Sequence, residues 1–141
     1  MSKRLISVIV PTRDRPDTLR QALASIRALE ADDITFEILV GDNGSDPESR
    51  KVASDFGAIH IPVSDKGAAA ARNAGLKAAT GEFLAFLDDD DIWLPSHVRR
   101  HLEILDANPG IEAVLAQVIA VDNDLRELDE QKTIVTIAHR I

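Results

Sequence analysis

Four consecutive aspartates, Asp88 to Asp91, interrupt the apolar stretch FLAFLDDDDIWLP at residues 83–95. Carboxylates at contact distance disfavour one another's ionised state. An acidic run on a solvated tail would carry no cost, but this one lies between segments with the character of core. A helix cap at the turn before Pro95 needs one carboxylate, not four. A divalent cation removes the repulsion, because hard ions such as Mg²⁺ or Mn²⁺ take carboxylate oxygens and bridge to a substrate diphosphate. If side chains alternate through the strand end, Asp88 and Asp90 face one way and Asp89 and Asp91 the other. One pair can then serve a ligand while the other orients the loop.

Three further polar segments follow apolar runs in the same way: PTRDR at 11–15, GDNGSDP at 41–47 and SDKG at 64–67. Each also has a structural reading. Asn43 to Pro47 suits a turn followed by a helix cap, and Asp14 to Pro16 an ordinary helix start. Arg72, in an alanine-rich segment, suits a solvated side chain whose stem covers apolar surface. Lys66 reads as a surface lysine. His60, His97, His101 and His139 show no metal-ligand spacing and read as surface or structural residues.

The elements that must position these segments alternate. LISVIV (5–10), FEILV (36–40), AIHIPV (58–63) and FLAFL (83–87) are short, apolar runs rich in β-branched residues, suited to strands buried on both faces. Between them, Leu19, Ala22, Leu23, Ile26 and Leu29 recur at helical spacing behind Pro16. PESRKVASDF forms a second helix closed by Gly57, and AAAARNAGLKAAT a third, with Gly81 as its stop. Pro95 opens a fourth with an apolar face of Val98, Leu102 and Leu105, ended by NPG at 108–110. AVLAQVIAV (113–121) and KTIVTI (132–137) read as two more strands joined by a turn-rich connection, DNDLRELDEQ.

Strands alternating with helices imply right-handed crossovers and a Rossmann-like, doubly wound, mostly parallel α/β sheet. In such a sheet, ligands bind beyond the carboxyl ends of the strands, near the point where strand order reverses. All four polar segments leave those ends.

With 141 residues, 45% hydrophobic and 28% charged, the chain is expected to be a single globular domain over residues 1–141. A net charge of −8 without a basic patch argues against nucleic acid and anionic membrane as partners. No apolar run approaches the roughly 20 residues of a membrane span. The first residues break too early for a secretory signal, so a cytoplasmic location is expected. The chain contains no cysteine, which excludes disulfides and thiolate metal sites.

Three blocks together, SVIVPTRDRPDTLRQAL, EILVGDNGSD and GAAAARNAGLKAATGEFLAFLDDDD, resemble the nucleotide-sugar-binding half of the family 2 glycosyltransferases, which have the GT-A fold. The resemblance spans residues 5–95. It implies that Pro11 and Thr12 line the nucleoside pocket, with Asp14 beside them, and that Asp42 contacts the base, commonly uracil. It implies that Arg72 and Asn73 form the ARN element beside the nucleotide. Asp88 and Asp90 match the DxD motif, Asp88 reaching the ribose or a metal-bound water and Asp90 coordinating Mn²⁺ or Mg²⁺ on the diphosphate.

The implied reaction is transfer of a sugar from a nucleotide-diphosphate donor, UDP-linked, to a hydroxyl of a carbohydrate or glycolipid acceptor, with inversion. Asn43 stands where a second aspartate is usual, and Arg13 and Asp14 where Tyr and Asn are common. The family's catalytic base lies well beyond the DxD motif, so the chain is expected to stop before the acceptor-binding half. Asp122 and Asp124 sit in a turn and are not assigned that role. A sheet lacking its second half should leave apolar surface or a strand edge uncovered near the C-terminus, and a homodimer through residues 111–141 would cover it.

The alternative is a non-catalytic nucleotide-sugar-binding or interaction module. A nucleotidyltransferase is disfavoured because PTRDRPDTL has no glycine, and a dinucleotide-binding domain because GxGxxG is absent.

Overall fold

A computed structural model describes the backbone of residues 3–121 and 127–139, and the side chains of residues 3–115, 137 and 138. In chain order the elements are β1 (Arg4–Thr12), α1 (Pro16–Arg27), β2 (Ile34–Asp42), α2 (Pro47–Asp55), β3 (Ile59–Pro62), α3 (Ala68–Ala78), β4 (Phe83–Phe86), α4 (His97–Ala107), β5 (Ala113–Val121) and β6 (Glu127–His139). They build one six-stranded sheet in the order β3-β2-β1-β4-β6-β5. β1 pairs in parallel with both β2 and β4, so the chain reverses its direction of travel across the sheet at that junction.

The mostly parallel α/β architecture expected from the alternation is present, with an antiparallel insertion. β6 runs antiparallel to β4 on one side and to β5 on the other. It is also longer than KTIVTI. Residues 127–131 belong to the strand, so the expected turn-rich connection is partly sheet, and its residues 122–126, including Asp122 and Asp124, lie outside the described residues. The fourth helix begins at His97 behind Ser96, two residues later than Pro95 suggests.

Alternation along the strands sends two sets of side chains to opposite faces. Ile6, Val8 and Val10 of β1 and Phe83 and Ala85 of β4 join a large core with Leu19, Leu23 and Ile26 of α1, Val52 and Ala53 of α2, and Val98, Leu102 and Leu105 of α4. Ile9 and Leu39 face the other way into a smaller cluster with Leu76 and Ala79 of α3 and the following turn, and with Leu84 and Phe86. Helices therefore cover both faces, which confirms the doubly wound reading. β5 forms the sheet edge, and its Leu115 is 56% exposed.

Two glycines let α3 sit unusually close to the sheet. A Cβ at Gly41, on β2, would lie 2.2 Å from the carbonyl oxygen of Ala71, and one at Gly75 would lie 2.8 Å from Ile9 Cγ2. The far end of α3 is tied by a polar knot. Glu37 accepts hydrogen bonds from Ser7 Oγ and from the backbone N–H and hydroxyl of Thr80, while Ser7 Oγ accepts the N–H of Gly81. These contacts fix where α3 presents its first turns, and hence Arg72, above the carboxyl ends of β1 and β4.

Candidate functional site

At those carboxyl ends a cleft of about 340 Å³ opens, lined among others by Pro11, Thr12, Arg15, Arg72, Asp88 and Asp90. It sits at the β1–β4 junction, where a doubly wound sheet places its ligands.

The aspartate loop is built by two mechanisms in succession. Leu87 N–H still donates to the Ile9 carbonyl, at 3.1 Å, so strand-like alternation persists to the loop's start. Asp89 accordingly continues the Phe83, Ala85, Leu87 row into the large core, and Asp88 points to the α3 side. There the Arg72 guanidinium donates to Asp88 Oδ1 at 2.9 Å. A tight turn then takes over, with Asp91 N–H donating to the Asp88 carbonyl at 3.1 Å. The turn brings Asp91 round, so that one carboxylate oxygen from each of Asp88, Asp90 and Asp91 lies within 4.8 Å of the others. The expected pairing of Asp91 with Asp89 therefore does not occur, because alternation ends where the turn begins.

Asp89 is the buried member, only 1% exposed. Its Oδ2 accepts the Thr12 hydroxyl at 2.8 Å and its Oδ1 lies 2.9 Å from Arg15 Nη2. Burial pushes its carboxyl above the usual range, and the hydrogen bond from Thr12 and the charge of Arg15 work against that rise. The loop's exit is pinned by Trp93, whose N–H donates to Ser25 Oγ at 3.1 Å on α1 and whose ring packs 6.0 Å from that of Phe36 in the core.

Pro11, Thr12, Arg72, Asp88 and Asp90, all anticipated from the sequence, are brought together around the cleft. Asp14, Asp42 and Asn73 do not line it. Asp14 holds a left-handed backbone (φ 52°) and accepts the N–H groups of Ser45 and Asp46, at 2.7 and 2.9 Å. These two bonds lower its carboxyl below the ordinary value and staple the β1–α1 loop to the β2–α2 loop. A Cβ at Gly44 would meet Asp14 Oδ1 at 2.5 Å, so the staple requires the glycine. Asp42 is buried, accepting the Gly44 N–H at 2.9 Å and lying 2.8 Å from His60 Nε2. Asp46 caps α2 through the Glu48 N–H, and Asn73 is exposed on α3.

Three contributors went unrecognised in the sequence. Arg15 reaches Asp89 and Asp90, Asn43 Nδ2 donates to the Gly67 carbonyl at 2.7 Å to close the cleft's far wall, and Asp91 joins the acidic cluster. All lie in loops flagged as polar, yet their partners are 24 to 75 residues away or depend on a turn. No local pattern announces them.

Hard carboxylate oxygens converging within reach of one centre fit a Mg²⁺ or Mn²⁺ ion, which prefers an all-oxygen shell completed by water and phosphate. Arg72 and Arg15 add fixed positive charge at the same rim, suited to an anionic ligand.

The profile described as glycosyl transferase family 2 matches residues 7–139. A UDP-Glc:alpha-D-GlcNAc-diphosphoundecaprenol beta-1,3-glucosyltransferase of Escherichia coli is 33% identical over 112 residues, covering 77% of this chain and 44% of its own. Among solved structures, a mannosyltransferase from Pyrobaculum calidifontis in complex with GDP-Man and Mn²⁺ superposes with a TM-score of 0.66 at 22% identity, over 80% of this chain and 35% of that one. Glucosyl-3-phosphoglycerate synthase from Mycobacterium tuberculosis, in complex with Mn²⁺, UDP and glucosyl-3-phosphoglycerate, does so with a TM-score of 0.61 at 26% identity, over 79% and 42%. The fold is of the GT-A type. The chain spans less than half the length of the first curated relatives it matches, 44% and 41%.

Proposed function

The chain belongs to glycosyl transferase family 2, and on that premise we propose that it is the donor-binding part of a divalent-metal-dependent, inverting glycosyltransferase that takes a UDP-sugar. The observation that carries this reading is the convergence of Asp88, Asp90 and Asp91 with Arg72 at the β1–β4 junction. Likeness to enzymes crystallised with Mn²⁺ and nucleotides supports it.

In this reading Asp90 and Asp88 hold Mn²⁺ or Mg²⁺, with Asp91 as a third carboxylate. The bound cation would supply Lewis-acid stabilisation of the negative charge that develops on the departing diphosphate. The chain's own groups do the rest. Pro11 and Thr12 shape the nucleoside wall, and Arg72 holds Asp88 in place beside the ribose. Asp89 is occupied by Thr12 and Arg15 and serves the loop rather than the ligand. Asp14 and Asp42 act through the loops they staple, Asp42 also from beside the base, and Asn73 from the rim of α3. The acceptor is a carbohydrate or glycolipid hydroxyl, the base that deprotonates it lies in the part of the enzyme that the longer relatives possess, and the site works in the cytoplasm.

A thermal-shift screen tests the reading. UDP is expected to raise the melting temperature only with Mn²⁺ or Mg²⁺ present, and Asp90→Ala to abolish the gain. No shift with any nucleotide–metal combination would sink it. Light scattering tests the associated homodimer through residues 111–141, and a monomer at high concentration argues against it.

The alternative reading is a module that binds the donor without transferring the sugar. Robust sugar transfer to acceptors by these 141 residues alone, measured beside donor hydrolysis, would exclude it.

A further inference from the structure

Arg15 bridges two carboxylates of very different standing. Its Nη2 lies 2.9 Å from Oδ1 of Asp89, which is buried and also held by Thr12. Its Nη1 reaches Oδ2 of Asp90 at a looser 3.4 Å, and Asp90 is half exposed and a member of the three-carboxylate cluster. The backbone of Arg15 is fixed: its carbonyl accepts the Leu19 N–H at 3.0 Å as α1 begins, and Pro16 follows at once. The side chain is not fixed to the same degree, being 54% exposed with a long stem.

We infer that Arg15 is the built-in counter-ion of Asp90, a positioning residue that holds this carboxylate in the cation-free protein and yields it when a divalent cation enters. The inference rests on the proposed reading of the cluster as a cation site. A cation on Asp90 places two positive charges where the weaker arm of the guanidinium fork now sits. That arm must leave, while the stronger arm keeps its grip on Asp89. The like-charge repulsion in the aspartate run is thereby relieved in both states, by Arg15 and Arg72 before the cation arrives and by the cation afterwards. The fork geometry matters, because a planar guanidinium presents rigidly spaced donors to two carboxylates at once.

Competition for one carboxylate has a measurable sign. In nucleotide-free protein, Arg15→Gln is expected to bind Mn²⁺ about three- to fivefold more tightly than wild type, the scale of a partly exposed ion pair. A residue that merely braced the loop would give the opposite sign when removed, since a loosened cluster binds less well. Free Mn²⁺ is titrated by electron paramagnetic resonance, with folding checked by circular dichroism. On the wild-type protein, Mg²⁺ titration followed by the arginine side-chain N–H resonances is an independent measurement, and the Arg15 signal should shift as the cluster fills. Unchanged or weaker Mn²⁺ binding in Arg15→Gln, or an Arg15 resonance indifferent to Mg²⁺, overturns the inference and leaves the cation site standing. Failure of the wild-type protein to bind Mn²⁺, with or without UDP, overturns the cation site itself and the inference with it.

Discussion

Thr12, the last residue of β1, donates its hydroxyl to Oδ2 of Asp89 at 2.8 Å, across 77 residues of sequence, and both groups are buried. This bond locks the aspartate loop to the neighbouring strand. Thr12→Val keeps the shape but leaves a buried carboxylate short of a donor, which costs about 1–3 kcal/mol. Urea denaturation should show that loss, with Thr12→Ser recovering most of it. Equal stability of the Val variant and wild type would mean the bond does not hold the loop.

Close packing of α3 on β2 leads to a second expectation. Gly41→Ala would put a methyl group 2.2 Å from the Ala71 carbonyl, a backbone atom that cannot swing aside. The helix must shift, at an overpacking cost of about 1–3 kcal/mol, and Arg72 moves with it. Both a lower melting temperature and weaker nucleotide binding are expected, the second measured by calorimetry at a temperature where the variant is fully folded. Stability lost with affinity intact would show that the placement of α3 does not govern the site.

The strands and helices through β4 could be read along the chain because each carries its own periodicity and punctuation, Pro16 and Gly57 among them. The aspartates stood out because four adjacent charges in apolar surroundings need a cause. What could not be read was non-local. ELDEQ at 127–131 reads as polar turn, and becomes strand through pairing with β5, as at Ile119–Gln131 and Val121–Glu127. Likewise Arg15 looks like a helix start until β4 brings Asp89 and Asp90 beside it. Asp91 was misplaced because alternation was extended one step past the point where the turn begins. Gly41 and Gly75 gave no signal of their own, since their role is the space they leave for Ala71 and Ile9.

His97 sets a pH limit remote from the cleft. Its ring stacks 5.0 Å from Trp93 and meets that of His101 edge-on at 4.3 Å, and its Nε2 is buried with no hydrogen-bond partner among the described residues. Burial, with a smaller contribution from His101, lowers its pKa from 6.5 to about 4. The unfolded chain therefore binds the proton more readily than the folded one. Stability is full above pH 6.5 and falls as pH drops toward 4. Asp33, held at about 2 by Arg99, does not titrate in that window, whereas the raised carboxyl of Asp89 works in the opposite sense. The comparison with His97→Phe isolates the effect: the variant should melt a few degrees above wild type at pH 5 relative to their difference at pH 7.5. Parallel pH profiles for the two proteins would rule His97 out as the titrating group.

Asp91 offers the sharpest separation between what alternation implies and what the turn builds. If it only orients the loop, Asp91→Asn, which preserves size and one acceptor oxygen, should leave cation affinity within about twofold, as an isosteric surface change would. If it is a third carboxylate of the cluster, losing its charge should weaken Mn²⁺ binding by about tenfold or more, the scale on which removing even outer partners of a metal site is felt. The three oxygens within 4.8 Å of one another favour the larger effect. Paramagnetic titration of Asp91→Asn beside Asp89→Asn distinguishes the two, because Asp89 is turned into the Thr12–Arg15 pocket and its replacement should lower thermal stability more than it lowers cation affinity. The reverse ranking would return Asp91 to the loop and make Asp89 the ligand.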